Sequence, residues 1–192
     1  VILFDCFGMG QYRAPSDARH LPRRGLLHIV NRLACRSLCD PLLPGDYNDD
    51  ELIRTVRSRL AQAVATSVRV SPGRQLILLI DAIDNAGELA TAQDETSFPR
   101  LLLRELAMAG TIAGMQLVVS ARSHRRVAAT GDVDCTELEL RPFSLEETRA
   151  YLLPRVKRLT ENRLLVAQSR SRGNARILEH LAKDSAGLLA PS

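Results

Sequence analysis

Two short stretches of this 192-residue chain combine residue types that could do chemistry. In the first, the apolar run Leu76 to Ile80 leads into Asp81, and Asp84 follows three residues later. Five consecutive apolar residues read as a buried strand. Ligands of open α/β sheets sit at the carboxyl ends of the strands, so Asp81 is expected to face a ligand crevice. A carboxylate there can hold the Mg²⁺ that bridges nucleotide phosphates, and Asp84 can orient a water or a second-shell ligand. The same pattern also suits an aspartate that only ends a strand and caps the next turn. In the second stretch, Met115 to Val119 leads into Ser120 and Arg122, which places a small polar residue and then a guanidinium at the same edge. A guanidinium there can contact a terminal phosphate through a rigid fork of donors. His124, Arg125 and Arg126 follow at once, and so dense a group of cations also suits a solvated loop.

One part of a nucleotide site is absent. A phosphate cradle of the form G-x-x-x-x-G-K-[ST] needs Lys between Gly and Ser or Thr. Lys157 lies between Val156 and Arg158, and Lys183 between Ala182 and Asp184. Gly8 and Gly10 begin a G-x-G after a strand, but Arg13 occupies the place of the third glycine, so the dinucleotide fingerprint fails too.

The elements that must position these residues are legible as alternating strands and helices. Strand character marks Val1 to Phe7, Gln75 to Asp81, Met115 to Ala121 and, more weakly, Thr136 to Leu140. Three of these runs are continuous, as expected for strands buried on both faces of a parallel sheet. Helical period marks residues 23–39, the face Leu52, Ile53, Val56, Leu60 and Val64 behind an Asn48/Glu51 capping pair, and residues 98–109. The loops around Pro41 to Asp50 and Ala86 to Ser97 are expected to be mobile. The fold class is therefore α/β, a doubly wound parallel sheet with flanking helices over residues 1–141. Residues 142–192 change to helices alone. Ser144 with Glu147 caps the first, Thr160 the second and Asn174 the third, with Gly173 as a stop between the last two.

Composition narrows the function classes. Apolar residues make up 45% and charged residues 25%, which excludes a disordered chain. No apolar run is long enough to span a bilayer. The formal charge of +4 is dispersed, with no basic block and only four Phe and three Tyr for base stacking, so nucleic acid is not expected as a partner. No signal-peptide zoning is present. Cys35 and Cys39 lie four apart on an expected helix and share a face, with His28 seven residues before the first. The four cysteines, with Cys6 and Cys135, read as small apolar thiols in a reducing cytoplasm rather than a zinc site.

Taken in order, the motifs resemble bacterial STAND ATPases, NACHT-like P-loop modules several of which belong to antiviral defence systems. Phe4-Asp5-Cys6-Phe7-Gly8, Tyr12-Arg13, Arg19-His20 and Asn31-Arg32-Leu33-Ala34 resemble the strand and helix that follow the P-loop. Asp81-Ala82-Ile83-Asp84-Asn85-Ala86 resembles the Walker B strand, Ser97-Phe98-Pro99 the next helix, and Val119-Ser120-Ala121-Arg122 the sensor strand. Leu140 to Ser144 with Glu146 and Glu147 resembles the start of the helical lid, and Gly173-Asn174-Ala175 its Gly-Asn-Pro turn.

The resemblance implies an ATP-binding or hydrolysing signalling switch whose first strand and phosphate loop lie upstream of residue 1. The missing strand would be central, beside the sensor strand. It implies Mg²⁺ and ATP as cofactors, Asp81 on the metal, Asp84 on the water, and Ser120, Arg122 and Asn174 toward the nucleotide. Self-association and other domains of the same longer chain are the implied partners, and this chain alone is expected to be inactive. Asn85 stands where many such modules carry a second acid, and Ala175 replaces the usual Pro. The alternative is a non-catalytic interaction module on a degenerate version of the same fold.

Overall fold

A computed structural model of the chain describes residues 1–7 and 18–183. Gly8, Gly10, Tyr12 and Arg13 lie outside the described residues. The chain divides into two compact units, Val1–Thr136 and Glu137–Ser192.

The first unit is α/β. Strands β1 (Ile2–Asp5), β2 (Leu76–Asp81) and β3 (Met115–Val119) form a parallel sheet in the order β1-β2-β3. Ile2 stands opposite Leu78, and Leu78 opposite Leu117. Parallel strands need long crossovers. Helices α1 (Pro22–Ala34) and α2 (Asp49–Val70) supply the first; α3 (Ile83–Ala92) and α4 (Phe98–Met108) supply the second. Beyond β3 lie a 3-10 turn at Ser123–Arg125 and a short helix, α5 (Arg126–Thr130). Helix α2 starts on the expected capping box: Asn48 accepts the Glu51 N–H, and the Glu51 carboxylate accepts the Asn48 N–H.

The core lies on one face of the sheet. Ile2, Phe4, Leu76, Leu78 and Ile80 are buried with Leu26, Ile29 and Leu33 of α1, Leu52, Val56 and Leu60 of α2, and Leu101 and Leu102 of α4. Phe98 joins them at the start of α4. Its ring stands edge-on to Phe4 at 4.9 Å between centroids and packs so closely on α1 that a Cβ on Gly25 would lie 2.3 Å from it. The opposite face differs. Leu3 is 45% and Val118 43% exposed, and Ile77 and Leu79 are only half-buried. Among the described residues, α1, α2 and α4 contribute to the core on the first face, and the opposite face is the more exposed.

The two sheet edges also differ. In a parallel ladder alternate residues of an edge strand turn their polar groups outward. On β1 the outward carbonyls are occupied by arginines. Arg36 Nη1 donates to Val1 O at 2.8 Å, Arg32 Nη1 to Leu3 O at 2.6 Å, and Arg19 Nε and Nη2 to Asp5 O at 2.9 and 2.7 Å. Charged side chains laid along an edge block the addition of another strand. On β3, Met115 N–H donates to Ile112 O, while the outward groups of Leu117 and Val119 have no hydrogen-bond partner among the described residues.

Three further expectations need correction. Thr136 to Leu140 forms no strand, and Leu138 and Leu140 are each 86% exposed; an apolar stretch without a ladder partner has nothing to fix it as a strand. The segment from Ala86, expected as loop, is helical to Ala92, with Ile83, Ala86 and Ala90 buried. Helix α1 stops at Ala34, and Ser37 adopts a left-handed φ of 56°, so Cys35 is exposed while Cys39 is buried; they share no helix face.

The second unit is helical: α6 (Leu145–Leu152), α7 (Glu161–Ser171) and α8 (Ala175–Lys183). Ser144 and Glu147 form the expected capping box, and Thr160 caps α7. Leu152, Val156, Leu164, Ala167 and Leu178 make its core, with Phe143 and Tyr151 against it. Buried Thr148 bonds to Gln168, whose Nε2 donates to Phe143 O at 2.9 Å. Phe143 N–H in turn donates to Gly173 O at 2.8 Å. Gly173 has φ of 75°, and a Cβ there would meet Phe143 O at 2.4 Å. Gly173→Ala therefore combines left-handed strain with a backbone clash and is expected to cost about 2–3 kcal/mol. Chemical denaturation followed by Tyr151 fluorescence would check this; an unchanged midpoint would contradict it.

Candidate functional site

The expected chemistry gathers at the carboxyl end of the sheet, where β2 and β3 both stop. Asp81, the last residue of β2, is exposed, and its Oδ1 accepts the Ser120 hydroxyl. The same Ser120 Oγ accepts the Ala82 N–H at 2.9 Å, and Ser120 O accepts the Ile83 N–H at 2.9 Å. Three bonds from one residue thus hold the turn after β2. Ala82 sits there at φ 57°, ψ 46°, a left-handed conformation that a non-glycine residue adopts at a cost of about 1 kcal/mol or more.

That turn aims the start of α3 at the segment beyond β3. Arg122 Nε donates to Asp84 Oδ2 at 2.5 Å, and its Nη2 donates to Asn85 Oδ1 at 2.8 Å. Glu88, one turn along α3, lies 3.9 Å from Arg122 Nη2 and pairs directly with Arg125. The Asp84 side chain is 3% exposed and that of Arg122 47%. A buried carboxylate needs a partner of opposite charge, and Arg122 supplies it from the solvent side.

The sequence places Asp81 and Arg122 at one sheet edge, with Asp84 three residues on, and does not indicate that Arg122 bonds to Asp84. Nor does it indicate Asn85 and Glu88 as its neighbours. The usable signal was the spacing, carboxylates at 84 and 88 on one helix face opposite guanidiniums at 122 and 125.

Neighbouring groups set the limits of the site. Asp5 ends β1 in register with Asp81, and its carboxylate accepts the Phe7 N–H at 2.6 Å. Cys6 N–H donates to Asp81 O at 2.9 Å. Burial, reinforced by Asp5, pushes the Cys6 thiol far above its ordinary value, so it stays protonated and is no nucleophile. His20 is buried with Nε2 2.8 Å from Glu95 Oε2, and its carbonyl accepts the Phe98 N–H at 2.8 Å. These bonds tie the approach to α1 to the start of α4. Asn174 belongs to the second unit, where its Oδ1 accepts the N–H groups of Arg176 at 3.0 Å and Ile177 at 3.2 Å as the N-cap of α8.

Among the described residues no group of three or more His, Cys, Asp or Glu side chains could hold a metal ion. Mg²⁺ keeps several waters and takes one or two carboxylates together with substrate phosphates. Asp81 with the Ser120 hydroxyl beside it is such a partial set. No described helix is long and apolar enough to cross a membrane. Comparison with protein-family models gives no match to this chain, and comparison with curated proteins gives none either.

Proposed function

We propose that this chain is the Walker B, sensor and lid portion of a nucleotide-driven switch of the STAND/NACHT type. The observation that carries the reading is the Asp81–Ser120 pair at the carboxyl edge of a parallel sheet, one strand from an open edge. An additional strand bearing a glycine-rich phosphate loop fits beside β3, where Leu117 and Val119 leave polar groups unpaired among the described residues. The β1 edge, lined by Arg19, Arg32 and Arg36, does not offer the same access.

In this reading Mg²⁺, when bound with ATP, neutralises charge on the phosphates, and Asp81 and the Ser120 hydroxyl hold it. Arg122 turns toward the terminal phosphate, which competes for its guanidinium with Asp84, Asn85 and Glu88. Asp84, once released from Arg122, accepts a hydrogen bond from the attacking water. Charge exchange at Arg122 thereby links nucleotide state to the first turn of α3. The helical unit is the part that resembles the lid of such switches, and self-association is the output. A reducing cytoplasm is the compartment that suits the four free cysteines.

A second reading, a non-catalytic interaction module, draws on one observation. Asp84 is already paired with Arg122, and the neighbouring acceptor is the amide Asn85 rather than a second acid. Phosphate release from ATP, measured on the protein together with the strand that completes the sheet, separates the two. The favoured reading expects Mg²⁺-dependent turnover that falls at least a hundredfold in Asp81→Asn. Nucleotide binding without any phosphate release would favour the second.

A further inference from the structure

Strand β3 pairs with β2 on one side, and on the other the outward N–H and C=O groups of Leu117 and Val119 have no hydrogen-bond partner among the described residues. Such an edge is a template for another strand unless something blocks it. The usual blocks are absent. From Gly114 to Ala121 there is no charged residue and no proline. The ladder to β2 runs unbroken from Met115 to Val119, so no bulge turns the edge away. Val118, at the middle of this edge, is 43% exposed.

These features suit a second copy of the same chain. The β1 edge is closed to a strand by Arg19, Arg32 and Arg36, so two copies can join their sheets only β3 to β3. About a two-fold axis a strand meets itself antiparallel. In that ladder, residues that exchange bonds alternate with residues that face one another unbonded. With Val118 on the axis, Leu117 stands opposite Val119 of the second copy, and Val119 opposite its Leu117. Four bonds then use every outward group of these residues. The two Val118 side chains meet directly, with Cα atoms about 4.5 Å apart, as a β-branched pair. Charge favours the same arrangement. Arg122 falls beside Gly114 of the second copy, about 26 Å along the ladder from its own counterpart, so the cations beyond β3 are kept apart.

We propose that β3 is a dimerisation edge: two copies of this chain pair antiparallel through Leu117, Val118 and Val119, with the two-fold axis at Val118. The interface is small, so the dimer is expected to dissociate on dilution. The additional strand of the nucleotide reading takes the same edge and excludes the second copy. The dimer therefore belongs to the chain without that strand, and its failure to form would leave the nucleotide reading untouched.

Sedimentation of the 192-residue chain over a range of concentrations, together with cysteine cross-linking, tests the proposal. A reversible monomer–dimer equilibrium is expected. Val118→Lys sets two ammonium groups face to face and leaves the bonds to β2 in place, so it should weaken the dimer at least tenfold with unchanged circular dichroism. Oxidised glutathione should link Val118→Cys into a dimer at least tenfold faster than the native sequence or Gln116→Cys, because only position 118 meets itself across the axis. A chain that stays monomeric at millimolar concentration would overturn the proposal. So would a dimer that Val118→Lys leaves unchanged, or linkage that is equally fast at positions 116 and 118.

Discussion

Arg122→Ala is expected to destabilise the first unit by about 2–3 kcal/mol, more than its half-exposed position suggests. The loss does not come chiefly from the guanidinium itself. Its removal leaves Asp84, with a side chain only 3% exposed, as a buried charge without its bonded cation. It also frees Asn85 Oδ1 and weakens the cluster around Glu88. Because the pair joins the start of α3 to the segment beyond β3, the damage should reach the turn that carries Asp81. The double variant Asp84→Leu/Arg122→Met should recover most of the loss, since an apolar pair of similar volume is often neutral where a broken ion pair is not. Urea denaturation of the three proteins measures this directly. A single-variant loss below about 0.5 kcal/mol, within the range of ordinary surface substitutions, would show that Asp84 does not depend on Arg122.

Phe98→Ala is expected to have the largest effect on stability, about 3–5 kcal/mol. The ring is fully buried and joins three elements at one point: Phe4 of β1, the α1 backbone at Gly25 and the start of α4. Such a site cannot collapse easily, because the sheet on one side and the α1 backbone on the other are both fixed. The cavity term should therefore approach its upper range. Thermal unfolding by circular dichroism would read the loss. A fall in melting temperature of less than a few degrees would mean that the layer between β1 and α1 is looser than its 2.3 Å virtual contact implies.

Which features were legible in the sequence follows from how local their causes are. The caps of α2, α6, α7 and α8 depend on residues at most three apart, and Asn48, Ser144, Thr160 and Asn174 were each readable from spacing alone. The strand end at Asp81 was readable from an apolar run that stops at a polar residue, whereas the third strand, expected to Ala121, ends at Val119. Helix α3 was hidden because its buried face includes Asp84 and Asn85, polar residues made tolerable by Arg122, which comes from beyond the next strand. The Thr136 to Leu140 stretch has strand-like residues, but a strand exists only as part of a ladder. The break after Ala34 depends on the left-handed Ser37, which periodicity does not register. At the site, the residue types and their shared edge could be read in advance. The pairing of Asp84 with Arg122 could not, because it depends on the turn that Ser120 imposes on Ala82.

The central claim is that Asp81 and Ser120 form the metal-side half of a nucleotide site whose phosphate loop comes from a strand beside β3. Equilibrium binding of fluorescent ATP tests it most directly, measured with and without Mg²⁺ on the protein together with that strand, for the native sequence and for Asp81→Asn. The account predicts Mg²⁺-dependent binding that weakens at least tenfold in Asp81→Asn, down to the level that the native protein shows without Mg²⁺. Equal affinity in the two proteins, with the same Mg²⁺ dependence, would contradict it.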